Sequence, residues 1–429
     1  MTSQKIIDVA VVGGGIIGIA SALALQATGR SVVLIDRSEP GGGCSAGNAG
    51  VIATSFVLPL ASVAHILAAP RMLLSATGPL SMPLQHTGHY ASWMYRFARA
   101  ATPKRRLHAI ALLKLLNGRA LVAWRDLLGP GLAAQFLREK GMLDIIRADR
   151  PTKKLWAHAE ALASEGIALD RLSPDEVADL EPSLTRRISA GVLHRDVAHV
   201  TNPLDLSRAL VTRFRTGGGE VLQRDVSTVA PEGDAVAIRC ADDRILAGKA
   251  LIAAGWWSRQ LVEPLGLACP LRAERGYHVM LPGNADLLGR PVSFHEESFL
   301  ATPMWGGLRL AGTVELAPPS AKPDWRRADM LPDLAEAYLP PLDREGSLRW
   351  MGSRPSFADS LPAIGIVPAA PNILYAFGHQ HLGLTQAAVT AEYIRELIAG
   401  SAPANIENFS LARFGRASAR AFADQELAA

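Results

Sequence analysis

The sequence predicts an α/β fold in two parts: a dinucleotide-binding domain of Rossmann-like topology and an α+β substrate domain inserted into it. Three observations carry that expectation. Near the start of the chain an apolar run, Val9 to Val12, breaks into three glycines, a helix-like stretch and a second apolar run ending at Asp36. Elements of the same kind recur in the middle, where a strand closes on Ala253-Ala254-Gly255, and at the far end, where "NILYAFG" runs into "LTQAAVTAEYIRELIAG". Between them lie strands of a different pattern, such as "RGYHVMLP". The expected division is therefore discontinuous, with residues 1–88, 171–262 and 345–429 in the nucleotide domain and 89–170 and 263–344 in the substrate domain.

The first element is the most specific. Gly13 to Gly18 fits G-x-G-x-x-G after a strand and at the opening of a helix, where the motif has physical meaning. Gly13 permits a tight turn, Gly15 lets backbone approach a pyrophosphate, and Gly18 lets helix and strand pack closely. Ile16 and Ile17 open the helix, whose free N–H groups and dipole favour an anion. Asp36 stands about 20 residues on, placed to accept hydrogen bonds from an adenosine ribose. Arg37 beside it keeps a 2′-phosphate reading open.

Composition bounds the rest. A chain of 429 residues, 49% hydrophobic and 20% charged, is a buried globular protein long enough for two domains. A net charge of +4 gives no mandate for nucleic-acid binding. Cys44, Cys240 and Cys269 are scattered without metal-ligand spacing, so a reducing compartment and no metal site are expected. With no secretory signal visible, the protein is expected in the cytoplasm. The stretch from Val51 to Ala69 holds Pro59 and His65 and makes a poor spanning helix. The segment Thr102 to Leu128 is basic at one end and apolar throughout. It suits an anionic membrane surface or domain packing, and its charges, gathering on no one face, favour packing.

Residues 89 to 141 read as helices, and Ser173-Pro174-Asp175-Glu176 as a helix N-cap. A further capped helix, a Gly-rich turn and a strand follow from Asn202. The stretch from Val226 reads as a β-meander. "SEPGGGCSAGNAGVIA" after Asp36 is either a linker or a loop that wraps a ribityl chain or pyrophosphate through Ser45 and Asn48. In "GSRPSFADSLPAIG", Arg354 precedes proline and sits on extended backbone in apolar surroundings. Its planar fork matches a carboxylate, either a substrate's or a protein acid such as Asp359. Gly378 and Gly383 bracket His379, Gln380 and His381 before a helix that begins with Leu384 and Thr385. Backbone N–H groups there suit a developing negative charge.

Taken in order, the glycine motif, "SAGNAG", "AAGWWS", "GSRPSFADSLPAIG" and "GHQHLGLT" resemble the D-amino-acid oxidase superfamily of flavoenzymes. The resemblance is greatest to its D-amino-acid and D-hydroxyproline dehydrogenase branch and to glycine-oxidase-like relatives. It runs from about residue 6 to 400. It implies bound FAD and oxidation of an amine carbon next to a carboxylate. By resemblance, the glycine motif, Asp36 and Arg37 take the adenosine end. Cys44, Ser45, Asn48, Ala49 and Gly50 line the dinucleotide, Val226 faces the adenine, and Ala254 and Gly255 approach the cofactor backbone. Gly378, His379, His381, Gly383, Leu384 and Thr385 meet the flavin ring, and Arg354 holds the substrate carboxylate. Asp36 departs from the commoner Glu by one methylene. No covalent attachment pattern involves Cys240 or Cys269, so the FAD is expected to be non-covalent.

Tyr277, His278 and His379 are the further catalytic candidates, and by strand alternation only one of Tyr277 and His278 points at the ligand. Glu315 reads as structural. The implied chemistry takes hydride from the α-carbon of a small amino acid, held by Arg354, to flavin N5, once the amine is neutral. Electrons then pass to a quinone or partner protein, with peripheral contact at the inner membrane. The alternatives are an oxidase using oxygen directly and a non-catalytic dinucleotide-binding subunit. A subunit without chemistry has no need of a carboxylate clamp.

Overall fold

The computed structural model of the protein describes residues 7–415 apart from 76, 185, 186 and 242. The outermost parts of the expected nucleotide domain, 1–6 and 416–429, lie outside the described residues.

Two sheets organise the chain. The first runs Glu220–Gln223, Val32–Asp36, Ile7–Val12, Arg244–Ile252, Ala235–Cys240, Val226–Glu232. Its centre is parallel: Val9 pairs with Val32 on one side and Lys249 on the other. The end of strand 244–252 also pairs in parallel with Ala370–Phe377, joining Ala250 to Ile373. A central parallel strand is buried on both faces, which is why Val9 to Val12 read as a continuous apolar run. Val9 and Val11 pack with helix Ile16–Gln26, while Ala10 and Val12 face a second cluster with Ile252 and Tyr375. Helices Pro203–Thr216 and Gly383–Ile398 lie against helix 16–26 and complete that layer.

The second sheet runs Leu348–Ser356, Arg272–Leu281, Gly307–Glu315, Phe299–Met304, Val292–Phe294, Met142–Arg147, Ile188–His194, Leu169–Leu172. Alternation divides its faces. Val279, Leu281, Leu143 and Leu310 pack under Leu331 and Tyr338 around helix Arg326–Ala335. Glu274, Gly276, His278 and Asp144 lie on the opposite face, toward the first sheet. Strands 169–172, 188–194 and 348–356 belong to this second sheet, whereas the expected boundaries at 171 and 345 put most of their residues with the nucleotide elements. Such pairings join residues far apart in sequence, as Arg272 to Ser356, and no local pattern reveals them.

The segment expected at Thr102–Leu128 forms part of a 34-residue helix, Pro103–Phe136, bent where Gly129 takes φ 66° ahead of Pro130. By length and composition it could cross a membrane, but half of its most apolar window is buried within the protein. Trp124 Nε1 donates to the Leu384 carbonyl at 2.8 Å, and Asn117 Nδ2 to that of Phe56 at 2.7 Å. The helix is a strut beside the site. Helix Val63–Leu74 is different: none of its residues is buried, and Leu67 and Leu74 are 76% and 88% exposed.

Candidate active site

Between the two sheets runs a cavity of about 1720 Å³. That exceeds the ~300–1,000 Å³ of a pocket for one drug-sized ligand. At one end lies the glycine turn. A β-carbon on Gly13, whose φ is +110°, would meet the Ala253 carbonyl at 2.4 Å, and one on Gly18 would meet the Gly13 carbonyl at 1.8 Å. These two glycines serve packing, and Gly18 does not reach the cavity. Gly15 differs: a β-carbon there would touch only Ser45 Oγ, at 3.5 Å, and would otherwise project into open space. The missing side chain leaves a cradle at the N-terminus of helix 16–26, where a pyrophosphate fits. Ile16 and Ile17 line it.

Asp36 is more occupied than its spacing suggests. Its Oδ2 accepts from Gly14 N–H at 2.6 Å and its Oδ1 from Ser38 N–H at 2.8 Å, so the carboxylate also braces the turn. Arg37 lays its guanidinium 3.7 Å over the Trp257 ring, beside Val226, Ala254 and Gly255 at the cavity wall. Ser45 Oγ accepts from Ile16 N–H at 2.9 Å and so caps the helix that has no cap of its own. Cys44, Asn48 and Ala49 line the middle of the cavity. Gly50 does not: it takes φ +78° and packs against Met304. A residue with no sequence signal holds this loop down. Arg309 is 6% exposed, and its Nη1 donates to the carbonyls of Ala46 at 2.9 Å and Asn48 at 2.6 Å.

The other end gathers Arg354, His381 and the backbone from Gly378 to Leu384. His379 is buried with its Nε2 3.0 Å from Thr390 Oγ1. Burial lowers its pKa to about 3, so the imidazole is neutral and engaged with Thr390 at the cavity wall. Thr385 likewise turns inward, its Oγ1 accepting from Ala53 N–H at 3.0 Å. His381 faces the cavity as a neutral imidazole, its pKa lowered to about 4 by burial and then by the Arg354 charge.

Strand 272–281 settles the other two candidates. Tyr277 turns to the helix side, where its hydroxyl donates to Glu315 Oε2 at 2.5 Å and accepts from Asp324 N–H at 3.0 Å. Its hydrogen-bonding capacity is spent there, and Glu315 is structural. His278 is on the cavity side but is covered: Trp350 stacks on it at 5.0 Å and 12°, and its Nδ1 is 3.1 Å from the Gly47 carbonyl. Burial lowers its pKa to about 3. Tyr277 still borders the cavity, with its hydroxyl engaged on the helix side, whereas the covered His278 does not line it.

Arg354 does. Asp359, its expected structural partner, pairs instead with Arg413 at 2.9 Å. Among the described residues Arg354 forms no ion pair, and the one hydrogen bond of its guanidinium is long, Nη1 to the Thr313 carbonyl at 3.4 Å. It lies across Gly276, where a β-carbon would come within 2.1 Å of Nη2. Opposite it on the neighbouring strand stands Glu274, 3% exposed and lining the same cavity. Burial raises the Glu274 pKa, against the opposing pull of Arg354 and a hydrogen bond with Ser356. A charged residue in an alternating strand reads as a solvated face, so the sequence does not single it out.

A second polar group lies further along the sheet. His278, Ala311, Leu300, Ser293 and Asp144 face one another in register across five strands, a span of roughly 19 Å at ~4.8 Å per strand. There Asp144 Oδ2 meets His295 Nδ1 at 3.1 Å, and His194 Nδ1 meets Ser55 Oγ at 2.8 Å. Burial opposes the Asp144 charge, but the His295 hydrogen bond and neighbouring histidines hold its pKa below the usual carboxylate range. A small substrate at Arg354 does not span that distance. Among the described residues no group of three His, Cys, Asp or Glu side chains is arranged to hold a metal ion.

The fold and cavity have known counterparts. A D-amino-acid oxidase of Bradyrhizobium diazoefficiens is 30% identical over 406 residues, covering 92% of this chain and 96% of that protein. D-amino acid dehydrogenase 2 of Ralstonia nicotianae is 29% identical, covering 92% of this chain and 97% of its own. Glycine oxidase from Geobacillus kaustophilus superposes with a TM-score of 0.70 at 20% identity, covering 96% and 99% of the two chains. L-proline dehydrogenase from P. horikoshii superposes with a TM-score of 0.72 at 16% identity, covering 96% and 98%. Both share the fold. Residues 8–397 match the DAO family, FAD dependent oxidoreductase, and the cradle at Gly15 suits that cofactor. With that match spanning nearly the whole chain, the protein belongs to the DAO family of FAD dependent oxidoreductases.

Proposed function

We propose that this enzyme oxidises the Cα–N bond of a small amino acid, a D-amino acid or a D-hydroxyproline-like imino acid, and passes the electrons to a quinone or partner protein. One observation carries the substrate class: the Arg354 guanidinium lines the cavity and, among the described residues, closes no ion pair, not even with Glu274 opposite it. A cation held away from water needs an anion, and its fork matches a carboxylate. The names of the relatives in Bradyrhizobium and Ralstonia support an amino-acid substrate. Non-covalently bound FAD would be held by Gly15, Ser45 and Asp36 at one end and by the backbone from Gly378 to Leu384 at the other. It supplies the two-electron acceptor for such an oxidation. Arg354 orients the α-carbon by holding the carboxylate, and the apolar wall at Phe56 and Leu384 keeps bulk water from the reacting carbon.

The test is anaerobic bleaching of the yellow holoprotein by D- and L-amino acids, glycine, sarcosine and hydroxyprolines. Bleaching by none of them removes the amino-acid reading. Oxygen as acceptor is the second reading, favoured by the oxidase name of the Bradyrhizobium relative, and reoxidation of the bleached protein by air against a soluble quinone decides it. A cytoplasmic enzyme docked on the inner membrane is supported by the exposed Leu67 and Leu74 beside Arg71 on helix 63–74. Flotation with anionic liposomes at low and high salt tests that contact.

A further inference from the structure

We infer that Glu274 is the group that receives the substrate's amine, hydrogen-bonding the ammonium and accepting its proton, while Arg354 holds the carboxylate. This rests on the amino-acid reading above and names the residue that completes the site. Four observations carry it. Glu274 and Arg354 are directly opposed across strands 272–281 and 348–356, so both side chains leave the same face of the sheet. Both line one cavity, and Glu274 is almost wholly enclosed at 3% exposure. The two do not close into an ion pair, because the Arg354 guanidinium leans away along the strand to lie over Gly276. The Glu274 carboxylate is hydrogen-bonded to Ser356, on the other side of the 274/354 pair from Gly276, so anion and cation lean apart along the strands. A zwitterion fits such a gap: a carboxylate on the guanidinium, the ammonium one carbon further on, and a hydrogen bond of ~2.8 Å at each end.

The proton step is simple. One N–H bond of the ammonium breaks and one O–H bond forms on the Glu274 carboxylate, with no electrons changing hands. The amine is left neutral, the state from which the α-hydrogen leaves with its electron pair. Burial, which raises the affinity of Glu274 for a proton, makes it a stronger base than an exposed carboxylate. Arg354, with Ser356, on the facing strand acts on it directly, and Tyr90 on helix Thr87–Ala100 feels its charge together with those of Arg272, Arg275 and Glu315. Cys44 and His381 lie beyond Arg354. Tyr90 donates its hydroxyl to the Ala273 carbonyl at 2.6 Å and burial pushes its pKa above the usual phenol range, so it does not compete as a base.

A rival role is that Glu274 only positions Arg354. Two measurements on the FAD-loaded Glu274→Gln protein separate the roles: flavin reduction by the best amino acid as a function of pH, and the affinity for propanoate, read from the perturbed flavin spectrum. If Glu274 receives the amine, kcat/KM falls by about 10²-fold near neutral pH, the lower end of what a positioned base contributes. The loss then shrinks as pH rises and the free amine becomes abundant, while propanoate binds as well as before or more tightly, since a negative charge beside Arg354 is gone. Glu274→Asp keeps a carboxylate and recovers part of the rate. Parallel losses of propanoate binding and of rate at every pH overturn the inference in favour of a positioning role, as does a Glu274→Gln enzyme reduced as fast as the native one. FAD content and melting temperature, measured alongside, show whether the variant has folded. If Glu274→Gln does not load FAD, Glu274→Asp decides: reduction with its acid limb displaced supports the inference, and an unmoved profile overturns it. A native enzyme that no amino acid bleaches overturns the amino-acid reading itself, which is a different failure from any of these.

Discussion

The guanidinium of Arg354 occupies the space that a side chain on Gly276 would fill. A β-carbon there would lie 2.1 Å from Nη2 and 2.3 Å from Cζ. The atoms displaced by Gly276→Ala are the far end of a flexible side chain, so the protein should fold and keep its FAD. The clamp, however, must move. The expected result is a rise in KM for amino acids and in the propanoate dissociation constant at unchanged flavin content. An alanine variant with native kinetics would show that the clamp has slack.

Arg354→Lys keeps the charge but loses the bidentate fork. Charge-assisted hydrogen bonds contribute on the order of 1.5–3 kcal/mol each, so kcat/KM should fall by roughly tenfold to a hundredfold. Amino-acid amides should be poor substrates of the native enzyme. Amides that react as well as acids would remove Arg354 from carboxylate recognition.

The glycines of the turn should separate into two kinds. Gly18→Ala brings a methyl to 1.8 Å from the Gly13 carbonyl and should prevent folding of the turn. Gly15→Ala touches only Ser45 Oγ and should give a folded protein that has lost its FAD. Circular dichroism beside flavin absorbance reads the difference, and equal loss of fold in both would contradict it.

Arg309→Met removes two charge-assisted hydrogen bonds from the loop at 46–48 and keeps the apolar stem. Destabilisation of about 1.5–3 kcal/mol per bond is an upper bound, because the arginine's own burial cost is relieved as well. FAD should leave this variant more readily than the native protein. Flavin retention through gel filtration measures that directly.

Acid should destabilise the protein early. Burial lowers the pKa of His194, His199 and His381 to about 4, and of His278 and His379 to about 3, from a reference of 6.5. Between pH 6.5 and about 4 the unfolded chain therefore binds protons that the folded one refuses, and stability falls as pH falls. His295, whose pKa Asp144 raises despite burial, and Glu274, whose pKa burial raises, each work the other way. Urea midpoints measured from pH 7 to pH 4 should decline, and the slope should lessen in His379→Gln. A flat profile would mean that these histidines are protonated in the fold.

The sequence was most legible where function imposes spacing within a short stretch. The glycine turn, Asp36, the proline after Arg354 and the glycines around His379 could be placed because each constrains its immediate neighbours. Side-chain direction was legible only in part. Alternation required Tyr277 and His278 to diverge, but the choice rests on Glu315 and Trp350, which reach them from other strands. Glu274 and Arg309 were hidden for a related reason: a charge in a strand reads as solvated until the opposing strand and loop enclose it. The sheet boundaries were hidden because strands 188–194 and 348–356 find their neighbours only after the chain has returned.

That return has a consequence for how the protein is made. Strand 7–12 waits for strand 244–252, which itself waits for strand 370–377. At about 5–20 residues per second, roughly 10–50 s separate the emergence of Val12 and Ala250 from a ribosome. For that interval the apolar helix 16–26, buried over almost its whole length in the finished protein, has only the paired strands 7–12 and 32–36 to lie on. Contacts of such long range fold slowly and leave nascent chains prone to associate. Ribosome-bound chains should therefore stay protease-sensitive and colourless until Leu384 has cleared the exit tunnel. Its neighbours on helix 383–398 then close the layer over helix 16–26 and the flavin end of the cavity together.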